Sequence, residues 1–125
     1  MEHVMTSAGH PTYPNFPGKH AHDAFFSPQE FVDYRRRLGR LPDFPFPEGV
    51  IFCYQRSLYD HTLANHRVMP AGGFAGEFSL LAETAGRIGL SGNFGIGAPV
   101  VTVLLEEFVA FGVRRFVSIG TAGAL

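Results

Sequence analysis

Cysteine occurs once in the 125 residues, lysine once, and no apolar run approaches the length of a bilayer. A single cysteine excludes an internal disulfide framework and suits a reducing compartment. Cys53 lies within an apolar run, which reads as core packing rather than as a reactive thiol. Lys19 is the one lysine beside nine arginines, and the net charge of −1 gives no nucleic-acid footprint. The densest basic run, Arg35-Arg36-Arg37-Leu38-Gly39-Arg40, reads as the solvated C-terminal end of a helix, where cations oppose the negative end of the dipole. A spanning helix needs about 20 apolar residues, and none is present. The N-terminus has no charged start followed by an apolar core, so no signal peptide is expected. The expectation is a soluble, cytoplasmic chain with neither nucleic-acid nor membrane partners.

What is present is a hydrophobic content of 46%, with 15 glycines and 9 prolines, enough for one modest domain. Residues 1–26 are rich in proline, glycine and histidine and show no period, so they read as an extended arm. Within it "HAHD", His20 to Asp23, has alternating ligands, but no partner cluster follows. His61 and His66 are five apart, off the i,i+4 spacing, and no metal site is expected.

From residue 27 onward a domain is expected. Ser27-Pro28-Gln29-Glu30 is a capping box with proline at the first helical position, starting a helix that runs to about Gly39. "VIFCYQ", Val50 to Gln55, reads as a strand, and "SLYDHTLANH" as a short helix capped by Ser57. "GEFSLLAE" and "GRIGLSG" read as two strands about a turn at Thr84-Ala85-Gly86. Gly92, Gly95 and Gly97 then form a flexible turn, with Pro99 opening a helix that is apolar on nearly every side to Phe111 and is therefore expected to be mostly buried. Val100, Leu104, Phe108 and Phe111 share one face of it. Gly112 ends that helix, and Arg115–Ile119 reads as a buried strand leading into a second glycine turn, "SIGTAGAL". Strand, glycine turn, helix, strand, glycine turn is the βαβ unit of an α/β fold.

A glycine turn opening a helix presents backbone N–H groups beside the positive end of the dipole, which suits an anion. A dinucleotide site is disfavoured, because Gly95-Ile96-Gly97-Ala98-Pro99-Val100 lacks the third small residue and the next strand ends without an acid. A nucleoside-triphosphate loop is excluded by the absence of Gly-Lys-Ser/Thr. A nucleoside or phosphate site remains, beside the purely structural reading in which the glycines allow close helix–sheet packing.

The stretch "GIGAPVVTVLLEEFVAFGVRRFVSIGTAGAL" resembles the nucleoside phosphorylase-I family, which includes uridine phosphorylases, hexameric purine nucleoside phosphorylases and related nucleosidases. The resemblance covers residues 88–125 well and the Val50–Gln55 strand more loosely. It implies a three-layer α/β fold, a mixed and partly barrel-like sheet flanked by helices, cut short after the strand ending at Ile119. It also implies cleavage of the N-glycosidic bond of a purine or pyrimidine nucleoside when the domain is complete. Inorganic phosphate would be co-substrate, no other cofactor is implied, and the partners would be a nucleoside, phosphate and further copies in a homo-oligomer. Thr121 would meet phosphate or ribose, with Gly120, Ala122 and Gly123 shaping the turn and the Gly95–Gly97 turn beside it.

Departures from the family pattern carry their own expectations. Ser118 stands where many family members have a phosphate-clamping arginine, and nothing in residues 1–49 reproduces their phosphate loop. Water as nucleophile is therefore an alternative, as is a non-catalytic, ligand-binding half-module. Arg67 lies about where some members lend an arginine to a neighbouring subunit. The catalytic residues are expected beyond Leu125, so that the 125-residue chain alone is expected to be inactive.

Overall fold

In the computed structural model, residue 18, residues 21–72 and residues 74–123 are described. Most of the expected arm, including His20, lies outside them. Helix α1 spans Pro28–Arg37 and begins as its sequence dictates. The Glu30 amide donates to Ser27 Oγ at 3.1 Å, and the Ser27 amide donates to Glu30 Oε2 at 2.9 Å, completing the capping box. Three arginines close its last turn.

Strand β1, Gly49–Cys53, is followed by helix α2, Arg56–Asn65. Ser57 is not the cap of α2. The N-cap is Gln55, with no side-chain hydrogen bond, because the helix starts as soon as the chain leaves β1. Strand β2, Val68–Ala71, was not foreseen. Strands β3, Glu77–Leu81, and β4, Ile88–Gly92, are joined through a 3-10 turn at Ala82–Thr84 and a left-handed Ala85, close to the expected turn. Helix α3, Ala98–Ala110, leads to strand β5, Arg115–Ile119.

The strands form one open, mixed sheet in the order β2-β3-β4-β1-β5. β4 and β5 both run parallel to β1, while β2 and β3 add antiparallel pairings. The α3 crossover therefore passes over β1, leaving it flanked by parallel neighbours. A strand so placed is buried on both faces and reads as a continuous apolar run. Val50 and Phe52 join Phe78, Leu80, Phe94, Leu104, Phe108 and Val113 in the core under α3. Cys53 and Leu90 pack with Tyr59 of α2 in a second, smaller cluster, with Ile51 beside them.

Two burial expectations are corrected. β5 is an edge strand, with Val117 and Ile119 53% and 38% exposed, because only β1 pairs with it and α2 covers the other end of the sheet face. α3 buries Leu104 and Phe108 but leaves Val103, Leu105 and Val109 exposed, since α1 packs on only part of its outer surface. No helix among the described residues is long and apolar enough to cross a membrane.

Candidate functional site

The parallel register sets the site. Cys53 of β1 is level with Gly92 of β4 on one side and Ile119 of β5 on the other. Three strands therefore end at one rim, and both glycine turns leave from it. The sequence led us to expect them side by side, but they are not adjacent. The end of β1 lies between them, separating them by about 10 Å at two strand spacings.

Tyr54 fills that interval. Its ring meets Phe94 edge-on at 5.6 Å, and its hydroxyl shares a 3.2 Å hydrogen bond with the Ser118 hydroxyl. Phe52, two residues earlier, pairs with Ser118 in register, so the three side chains occupy the same sheet face. A Cβ at Gly120 would come within 3.3 Å of the Tyr54 ring, so glycine lets the second turn lie close against it. Thr121, Ala122 and Gly123 follow it and are exposed.

On the other side, Gly95 and Gly97 take φ of 99° and 102°, conformations that a side chain would oppose. Gly97 is the N-cap of α3 and makes no side-chain cap bond, leaving the first amides of the helix to another acceptor. Asn93, with φ of 50°, begins this turn and donates its amide to Glu77 Oε1 at 2.9 Å. Cys53, Tyr54, Arg56, Asn93, Phe94, Gly95 and Ile96 enclose a cleft of about 270 Å³.

Arg56 is the residue that sequence reasoning missed. Its sequence neighbours place it at the start of a helix and say nothing of a site; only the position of β1 between β4 and β5 brings it to the rim. It is exposed and engages Asp60 at 3.4 Å, a surface pair that is easily exchanged for another anion. Arg67 is at the opposite end of the sheet, since Val68 pairs with Leu81 while Glu77 pairs with Gly92. Its backbone amide donates to Glu83 Oε1 at 3.4 Å, and the fold of one chain does not bring it to the rim.

Chemically, the rim offers a guanidinium, uncapped amides at the starts of two helices, and the Tyr54, Ser118 and Thr121 hydroxyls. These are donors suited to an oxyanion and to sugar hydroxyls. No carboxylate among the described residues lines the cleft. Among the described residues no cluster of histidine, cysteine, aspartate and glutamate could hold a metal ion. No protein-family model, curated protein or solved structure matches the chain.

Proposed function

We propose that the carboxyl rim is the phosphate- and ribose-binding part of a nucleoside-cleaving α/β domain of the nucleoside phosphorylase type. The observation that carries this reading is the convergence of both glycine turns and Arg56 around the end of β1. The order of the Gly95–Gly97 turn, α3, β5 and the Gly120–Gly123 turn is also the order in which the sequence resembles that family. Ligands of open α/β sheets bind outside the carboxyl ends of the strands, where neighbouring connections leave in different directions.

In this reading Arg56 and the amides at Gly97 take the anion, while Thr121 and the Tyr54–Ser118 pair face the sugar. Arg56 offsets the missing arginine at position 118, so phosphate is favoured over water as the second substrate. Because the cleft lining has no acid to protonate a leaving base, the contribution of these residues is binding and positioning. A binding module without chemistry is the second reading, and that lining favours it.

Titration of the chain with inorganic phosphate and with inosine, uridine and adenosine tests the proposal. Arg56→Ala should weaken phosphate binding about tenfold, the value of one charge-assisted hydrogen bond. Unchanged phosphate affinity in that variant, or no binding by the unmodified chain, would refute it. Release of free base by the 125-residue chain would reject the binding-only reading.

A further inference from the structure

The outward flank of α1 exposes more aromatic surface than packing explains. Phe25 and Phe26 precede the helix, 90% and 81% exposed, with rings edge-to-face at 5.0 Å. Phe31, Tyr34 and Leu38 continue the stripe at i, i+3 and i+7, while Val32 alone is buried beneath α1. At 3.6 residues per turn those three positions fall within an arc of about 60°. Arg35 lies on one border of that arc and Arg37 on the other, with Arg40 just beyond the helix. The Arg35 guanidinium sits over the Phe31 ring at 5.7 Å. The two acids of α1 are engaged within the helix, Glu30 in the capping box and Asp33 with Arg36.

We propose that this flank is a peripheral docking surface for an anionic lipid bilayer. Aromatic side chains that project from a convex helix suit a soft interface into which they can sink. A partner helix would instead require a long apolar groove, and the hollow beside Phe26, Phe31 and Tyr34, about 370 Å³, is bounded by residues 26–34 alone. Arg37 and Arg40 beside the apolar stripe complement lipid phosphates next to the buried rings, while Arg35 lies over both the Phe31 and Phe111 rings with its Nε donating to the Arg40 carbonyl. The expectation of no membrane partner considered a spanning helix, and this surface needs no span. The inference is independent of the rim, which belongs to other elements.

Sedimentation of the full chain with phosphatidylcholine vesicles, with and without phosphatidylglycerol, tests the proposal. Binding should require the anionic lipid and weaken with salt. The Arg37→Gln/Arg40→Gln pair should lower partitioning by roughly fivefold per arginine. Phe25→Ser/Phe26→Ser should lower it as well, while thermal melting stays unchanged because both rings are exposed. Absence of binding to anionic vesicles overturns the proposal, as does binding that neither variant alters. It is equally overturned if the Phe25/Phe26 substitutions change only the oligomeric state on a sizing column, since a second copy would then be the occupant.

Discussion

At Gly92, a single hydrogen in place of a methyl decides how closely α2 sits on the sheet. A Cβ there would overlap the ring of Tyr59, which is buried. Gly89 does the same on the opposite face, against the ring of Phe78. Gly92→Ala should therefore destabilise the fold by about 1–3 kcal/mol in urea melts, the usual cost of overpacking; a neutral result would show that Tyr59 can move aside. Glu107 presents the reverse situation. Desolvation by partial burial raises its carboxyl pKa, and the charge of Arg35 only partly opposes this. A raised folded-state pKa means stability that is present at low pH and lost as pH rises through that value. Glu107→Gln should consequently raise the melting temperature at neutral pH, with the gain vanishing below the ordinary carboxylate range. An equal shift at pH 3 and pH 7 would point to packing instead of charge.

At the scale of elements, α3 enters the larger core cluster through two fully buried residues. Leu104 and Phe108 are fully buried, and Phe108 lies against Phe52, Phe74 and Phe78 with ring centroids 6.0, 4.2 and 5.0 Å away. Phe108→Ala should cost about 3–5 kcal/mol by opening a cavity that the flanking rings fill poorly. A loss below about 1 kcal/mol in denaturant melts would mean that the layer relaxes around the gap. That face of α3 was legible from the spacing of Val100, Leu104, Phe108 and Phe111. So was the start of α1, because its capping box is a local signal. β2 was not, since Pro70 argues against a strand unless the strand is known to be an edge with one neighbour, and pairing is a property of the whole sheet. The cap of α2 was misread for a similar reason: Ser57 has the right chemistry, but the end of β1 fixes where the turn begins.

For the whole molecule, strand order decides what the sequence could not. The two glycine turns were legible as turns, yet the rim they form depends on β1 lying between β4 and β5, and so does the arrival of Arg56. The same order leaves two unlike edges. β2 is blunted by Pro70, which cannot donate to a further strand. β5 has no proline and no lysine, and it exposes Val117 and Ile119 on the face that α2 leaves uncovered. An unpaired edge with apolar side chains on its open face is a template for another strand. Arg115 marks the start of β5, but its charge lies a full strand length from Ile119 and does not guard that end. Self-association through β5 is therefore expected, increasing with concentration in light scattering on a sizing column. Val117→Lys should suppress it, because pairing would then bury a charge at the middle of the strand, while the core packed under α3 stays intact. A unmodified chain that remains a monodisperse monomer at every concentration, or a Val117→Lys variant that associates equally well, would show that the β5 edge is closed to other strands.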